Sequence, residues 1–398
     1  MLKCLELFAG AGGLAMGASL AGFEHVGVVE WDRWACDTIR ENQRRGHPVV
    51  QGWPLYEGDV RHYDLGDIPG DLDLVAGGPP CQPFSMGGKH RAFDDVRDMF
   101  PATVEVIRTT RPKAFIIENV KGLTRAAFAN YFAYIQLQLS FPEVTRHTDE
   151  SWIDHLARLE REKTSGVLRG LTYDVVTRLV NAADYGVPQK RERVFFVGFR
   201  HDIAATWSFP EETHSRDALV ADQFVTGEYW DRHKVPKKDR PSAHSTSAAV
   251  GRLRGRNAPV DSLPWRTVRD ALVGLPNPEI TPGIHLNHRY QPGARAYHGH
   301  TGSPLDLPAK TLKAGDHGVP GGENMMVKPD GSVRYFTARE SARLQTFPDG
   351  YVFHGSWSEI MRQLGNAVPV TLAEVVCCSV AEALVSTAMT QAVPAGRA

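Results

Sequence analysis

Short apolar runs alternate with helically spaced stretches through the first half of the chain. LKCLELF at 2–8 is an apolar run ending in glycines, LAMGASLAGF at 14–23 carries helical spacing, and HVGVVEWD at 25–32 reads as a second strand. The alternation continues through LDLVAGG (72–78), the helical MFPATVEVIRTTR (99–111), KAFIIENV (113–120), a helical stretch through Tyr134, TYDVVTRLVN (172–181) and RVFFVGFR (193–200). Strands interleaved with helices predict an α/β fold with a mostly parallel sheet covered on both faces.

The pattern breaks twice. The charged stretch between 140 and 170 carries Trp152, Ile153, Leu156 and Leu159 at helical spacing and predicts an inserted amphipathic helix. From about 209 to 335 regular alternation stops and Gly, Pro, Ser, Lys and Arg dominate, which predicts a smaller, irregular, loop-rich second domain. Helical patterning returns at TARESARLQTF (337–347) and TLAEVVCCSVAEALVSTAM (371–389). The expected division is 1–204, 205–336 and a segment 337–398 that returns to the first domain. No run of about 18 apolar residues is expected to span a membrane, and the N-terminus has too short an apolar stretch for a signal peptide.

Composition changes this picture little. The formal net charge of -1 means that any basic surface is local, and Lys234, Lys237, Lys238, Arg240, Arg252, Arg254 and Arg256 supply one. Such a stretch suits phosphate contacts, with a solvated loop as the lesser alternative. Cys4, Cys36, Cys81, Cys377 and Cys378 form an odd, scattered set without metal-ligand spacing, which points to a reducing, cytoplasmic setting and no structural metal.

Candidate chemistry gathers at the ends of the predicted strands. The turn Gly10-x-Gly12-x-x-Ala15 meets the dinucleotide fingerprint only loosely, and Glu30 stands twenty positions after Gly10, where a carboxylate can accept from ribose hydroxyls. A purely structural turn accounts for these residues equally well. Trp31 beside Glu30 favours a purine, and Asp59 is placed to accept from an amino group on such a ring. In GGPPCQPFS (77–85), Cys81 sits on a proline-stiffened turn at the carboxyl edge of the sheet, an unusual place for a packing cysteine and a suitable one for a nucleophile. Glu118 ends the strand FIIENV near Cys81, either as a helix cap or as a proton handler. In QKRER (189–193), alternation puts Arg191 and Arg193 on one face, either as a solvated charge run or as a grip on phosphate or a substrate oxygen.

These elements, in this order, resemble the cytosine-5 DNA methyltransferase family: FAGAGGL, Glu30-Trp31, GDV, GGPPCQPFS, RDMF, ENV, QKRER, RESARLQTFP and GNAVP. The resemblance covers roughly 1–200 and 335–388, and the irregular region falls where the family keeps its variable target-recognition domain. It implies a Rossmann-like S-adenosylmethionine-dependent methyltransferase fold and carbon-5 methylation of a cytosine flipped out of double-stranded DNA. Cys81 would add to carbon 6, Glu118 would hold or protonate ring nitrogen 3, and Arg191, with Arg193 beside it, would bind the ring carbonyl. The resemblance places Phe8, Gly10, Gly12, Leu14, Glu30, Trp31, Asp59, Val60, Pro79, Met99, Asn366 and Val368 around the cofactor. Met99 stands where similar proteins carry leucine. Gln82, Ser85, Lys89, Arg91 and Gln189 are expected at the DNA. A monomer acting beside a separate restriction endonuclease is implied by the same likeness.

Other readings fit less well. A tRNA cytosine-5 methyltransferase carries a short target region with a Cys-Phe-Thr signature, absent here. Amino-group methyltransferases place Asp, Asn or Ser before Pro-Pro-aromatic, whereas Cys follows Pro80. A catalytically silent DNA-binding protein has no need of Cys81, Glu118 and the glycine turn together, and a nicotinamide oxidoreductase has no use for the first two.

Overall fold

The computed structural model describes residues 1–80, 98–166, 170–243, 247–255, 260–281, 286–298, 301–314 and 324–392. The chain divides into two compact units, Met1–Val180 with Glu192–Pro210 and Ala373–Ala398, and Asn181–Arg191 with Glu211–Leu372.

The first unit is built on strands β1 (Leu2–Leu7), β2 (Phe23–Glu30), β3 (Leu55–Glu57), β4 (Leu74–Gly77), β5 (Ala114–Val120), β6 (Tyr173–Asn181) and β7 (Glu192–Arg200), in the spatial order β3-β2-β1-β4-β5-β7-β6. β1 pairs in parallel with β2 and β4, and β4 with β5, while β7 runs antiparallel to β5. The chain reverses direction along the sheet between β1 and β4, the crevice where open α/β sheets bind ligands. Helices α1 (Gly13–Leu20), α2 (Arg33–Arg44), α3 (Phe100–Thr110), α4 (Ala129–Ser140) and α5 (Trp152–Ser165) complete the alternation.

The apolar runs become strands because both faces of the sheet are covered. Phe115, Ile116 and Ile117 of β5 are fully buried, each contributing roughly 1.5–3 kcal/mol relative to exposure. Gly198 of β7 sits opposite Phe115, and a Cβ there would lie 2.3 Å from the ring. Glycine is therefore the residue that lets the ring pass. In the insertion, Ser151 caps α5, and Leu156 and Leu159 pack into the main core, with Trp152 against Tyr131 and Tyr134. Ile153, expected on the apolar face, is instead 60% exposed.

The second unit contains β8 (His214–Ser215), β9 (Leu263–Pro264), β10 (Ser303–Pro304), β11 (Met325–Val327) and β12 (Val333–Tyr335). Its helices are α6 (Arg216–Ala221), α7 (Glu228–Arg232), α8 (Ser247–Arg254), α9 (Val268–Leu272), α10 (Ala338–Leu344) and α11 (Trp357–Asn366). Apolar clusters here are small, such as Leu219, Tyr229 and Trp230, and satisfied polar groups do more of the work. Thr267 with Asp270 and Thr337 with Glu340 form capping boxes. Arg334 pairs with buried Glu340 at 2.6 Å, and Arg339 donates to the carbonyls of Leu286, Pro348 and Tyr351.

These bonds shift a boundary. Residues 337–372 group with the second unit rather than returning to the first, because α10 is tied to backbone at 286 and 348–351 and Gln345 donates to Leu364 O. The return begins at Ala373, within α12 (Val370–Ala392). No uninterrupted run of 18 apolar residues occurs, but Trp357–Thr390 contains an 18-residue window of mean hydropathy 1.8, long and apolar enough to cross a membrane by length and composition alone. Just over half of that window is buried inside the protein, with Val376, Cys377, Val380 and Leu384 facing inward and Ser379 Oγ accepting from Trp207 Nε1.

Candidate active site

Three chain segments leave the sheet side by side. Leu7 of β1 is in register with Gly77 of β4, and Gly77 with Ile117 of β5, so the turns 8–12 and 78–80 and Glu118 start at one edge.

The first turn is held in left-handed backbone. Phe8, Gly10 and Gly12 have φ of 54°, 56° and 89°, and α1 begins at Gly13 with no side-chain cap. A non-glycine residue with positive φ in such a turn marks a conformation imposed by its surroundings. Nothing lies within 4 Å of where a Gly10 Cβ would stand. Glu30 locks the turn from β2: its Oε2 accepts from Gly10 N at 2.6 Å, and its Oε1 from Trp31 N at 2.9 Å and Asp32 N at 2.7 Å. Burial raises the Glu30 pKa, opposed by these three N–H groups. Leu14 is buried, while Trp31 is 65% exposed, a large flat ring offered at the edge of the sheet. Asp59 stands two residues past β3, caps a short turn at Arg61 N and pairs with the Arg61 guanidinium, which holds its pKa down at about 2. Val60 beside it is buried.

The second and third segments form one polar cluster. Glu118 lies 7% exposed, and Arg193 Nε approaches its Oε1 at 2.8 Å across the β5–β7 pair. A Cβ on Gly78 would lie 3.1 Å from Glu118 Oε2, so glycine there admits the carboxylate to the turn that leads to residue 81. Asn119 Nδ2 donates to Pro79 O at 3.0 Å, and Met99 N donates to Pro80 O at 3.4 Å. Backbone on both sides of 81–97 is thereby tied to the same edge. Met99 itself is buried and precedes α3. The sequence reading missed Asn119; the signal for it is that an amide follows the strand-ending Glu118 directly.

In QKRER the two arginines part company: Arg193 meets Glu118. Arg191 belongs to the second unit, is fully buried, and donates to Leu312 O at 3.1 Å and Gly365 O at 2.7 Å. The assumed alternation fails because β7 begins only at Glu192. Gln189, expected at the DNA, is also fully buried in the second unit: it donates to Leu344 O and Gln345 Oε1 and accepts from Leu312 N. Its polar groups are engaged internally and hold the backbone around 312 and 344. The glycine of GNAVP has a similar role, since a Cβ on Gly365 would lie 2.2 Å from Ala314 N. Asn366, exposed, ends α11, and Val368 is buried in the connection to α12.

Of the basic stretch, Lys234, Lys237 and Lys238 are exposed. Arg240 pairs with Asp231, Arg252 pairs with Asp217, and Arg254 donates to Phe224 O, so these arginines serve the fold of the unit. Cys81, Gln82, Ser85, Lys89, Arg91 and Arg256 lie outside the described residues.

A parallel sheet that reverses at β1/β4, with a carboxylate-locked glycine turn beside a buried carboxylate–guanidinium pair, defines an α/β enzyme that brings a nucleotide-like cofactor to a polar substrate. Comparison with known proteins makes the class specific. The chain matches the C-5 cytosine-specific DNA methylase family over residues 2–141 and 153–382, and it belongs to that family. It is a DNA (cytosine-5-)-methyltransferase, and the family acts with a methyl donor on DNA. Its relatives include the Type II methyltransferase M.PspPI of Psychrobacter, 31% identical over 93% of this chain and 76% of that protein. Another is M.NgoMIV of Neisseria gonorrhoeae, 30% identical over 96% of this chain and 97% of that one. Among solved structures, a putative DNA modification methyltransferase encoded within an Escherichia coli prophage is 22% identical, with a TM-score of 0.56 over 96% of this chain and 99% of that one. The Schizosaccharomyces pombe Dnmt2 methyltransferase is 18% identical with the same TM-score over 97% of this chain and 99% of that one. At these identities the two structures support the fold.

Proposed function

We propose that the methyl donor is S-adenosylmethionine, that the methyl group goes to carbon 5 of a cytosine flipped out of a short duplex target, and that Cys81 is the nucleophile. The observation that carries this reading is the buried Glu118–Arg193 pair at 2.8 Å, set against Gly78 in the turn that leads to Cys81. Glu30, the glycine turn and exposed Trp31 fit the cofactor: a buried carboxylate for the ribose, open space at Gly10 and a ring for the adenine. When bound, S-adenosylmethionine supplies an electrophilic methyl group.

Carbon 5 of cytosine is a poor nucleophile until the ring's aromaticity is broken. The Cys81 thiolate adds to carbon 6, and Glu118 meets the charge that develops at ring nitrogen 3 by hydrogen bonding or proton donation there. Arg193 holds Glu118 in place and presents its guanidinium to the neighbouring ring carbonyl, the role the sequence had suggested for Arg191. After carbon 5 has been methylated, loss of its proton expels Cys81 and restores the ring. Unstacking the target base costs on the order of a few kcal/mol.

The second unit acts as the target-recognition domain, with Lys234, Lys237 and Lys238 on phosphates and residues 81–97 supplying Gln82, Ser85, Lys89 and Arg91 at the DNA. The protein works as a cytoplasmic monomer, the modification partner of a separate restriction endonuclease. Methylation sequencing of DNA from a methylation-free host expressing the wild-type chain, beside Cys81→Ala, tests this. Carbon-5 methylcytosine in one short motif, absent with the variant, is expected. Soluble, cofactor-binding protein that leaves DNA unmodified would refute the DNA assignment and direct the assay to tRNA.

A further inference from the structure

Behind the cofactor turn, along β1 itself, lies a polar cluster that methyl transfer does not use. Cys4 and Glu6 stand two residues apart on β1 and share one face of the sheet. His25 is the register partner of Cys4 on the parallel strand β2. Their exposures are 0%, 1% and 5%, and their donor atoms all lie within 4.8 Å of one another. Sequence spacing hides this set, because 18 residues, including α1, lie between Glu6 and His25 along the chain.

Such a group is costly to bury unless something satisfies it. Glu6 Oε2 and His25 Nε2 are buried and make no hydrogen bond, and an unsatisfied buried polar atom costs roughly 1–3 kcal/mol. The other imidazole nitrogen is engaged: His25 Nδ1 lies 3.2 Å from Ser19 Oγ, which also accepts from Trp53 Nε1 at 3.0 Å. Trp53 packs against the imidazole with centroids 5.2 Å apart. A hydrogen bond of this kind on one ring nitrogen orients a metal-binding histidine and leaves its other nitrogen to serve as ligand. A second thiol lies close by: Cys377 of α12 is fully buried and near enough for charge to act between it and both Cys4 and Glu6, although its sulfur is not among the donor atoms that lie within 4.8 Å of one another. α12 comes down on this side of the sheet, since a Cβ on Gly17 of α1 would lie 2.4 Å from Ala373 Cβ, one turn before Cys377.

We propose that Cys4, Glu6 and His25, with Cys377 as fourth ligand, form a structural site for a thiophilic divalent cation, with zinc as the preferred ion. Two thiolates, one imidazole and one carboxylate make a borderline-soft tetrahedral set. Neighbouring ligand atoms on zinc stand about 3.3–3.8 Å apart, from the usual bond lengths and a tetrahedral angle, so the observed cluster closes on an ion by small side-chain movements. The site has no solvent-open position, which makes it structural rather than catalytic. It would clamp β1, β2 and α12 together directly behind the turn that holds the cofactor.

The probe is Zn²⁺ alone, with Co²⁺ as its spectroscopic substitute, on the full chain refolded with each ion under a non-chelating phosphine reductant. Expected are about one ion per chain by elemental analysis, a thiolate-to-cobalt charge-transfer band in the near ultraviolet, and a higher Tm than that of the metal-free protein. Cys377→Ser should lose about half of the charge-transfer intensity, as expected for one thiolate of two, and His25→Gln should lower the stoichiometry. Glu6→Gln separates the ion from its rival, a protonated Glu6 that satisfies the cluster by itself. If wild type takes up no zinc above background and shows no Tm shift, or if Glu6→Gln matches wild type in metal content, the site is not a metal site. Because metal content is read on wild type as well, a variant that fails to fold does not leave the proposal untested.

Discussion

Arg193→Met isolates the pair on which the proposed chemistry rests. The substitution removes the charge that faces Glu118 and keeps an unbranched chain in its place. At 2.8 Å and an effective dielectric of about 20, the attraction is on the order of 6 kcal/mol before desolvation is counted. Both side chains are about nine-tenths buried, so solvent screening discounts little of it. Removing one partner strands the carboxylate in the interior, which costs roughly 3–5 kcal/mol in comparable buried pairs. For a unit of this size that corresponds to a fall in Tm of roughly 10 °C. The assay is urea and thermal unfolding near pH 7, with Glu118→Gln/Arg193→Met beside the single variant. The double variant leaves no uncompensated charge and should recover about half of the loss or more. A single variant that costs less than about 1 kcal/mol, or a double variant no more stable than the single, would refute the claim that the two groups form a buried, coupled pair.

Four further outcomes follow from the site. Gly78→Ala should lower kcat on the order of tenfold to a hundredfold with near-normal stability, because the new Cβ crowds Glu118 Oε2; single-turnover methylation checks it. Asn119→Ala should cost about 1–3 kcal/mol and slow methylation, since it frees Pro79 O and Val120 N; cofactor binding measured by calorimetry should be unchanged. Trp31→Ala should weaken cofactor binding by about 1–3 kcal/mol while leaving Tm within a degree or two, whereas Glu30→Ala should lose both binding and stability because three backbone N–H groups depend on it. The Asp59–Arg61 pair gives a pH test: the folded-state pKa is depressed to about 2, so its stabilisation is present above the unfolded-state value and is lost as pH falls through about 2. Because the Arg61 guanidinium is open to solvent, screening leaves the pair a weak contributor, and Asp59→Asn should flatten only a small acid-side slope in an unfolding titration.

Local patterning determined the strand and helix succession of the first unit, because two-sided burial demands near-continuous apolar runs and those runs are visible in one dimension. It also marked Glu30, Glu118 and the turn before Cys81, since strand ends and glycine turns leave short-range signatures. Which groups meet was decided by tertiary structure. The partner of Glu118 follows from the register of β7 against β5, which sets Arg193 opposite Val120 and starts the strand too late to include Arg191. Gln189 and Arg191 look like surface charge and polarity in the sequence, yet their partners lie more than a hundred residues away, at Leu312, Leu344 and Gly365. Apart from the helix at 337–347, the second unit was legible only as an absence of regular pattern, because it is held by capping boxes and buried arginines rather than by periodic apolar faces. Cys4, Glu6 and His25 show the same division: their residue types are plain in the sequence, but only the pairing of β1 with β2 brings them to one place.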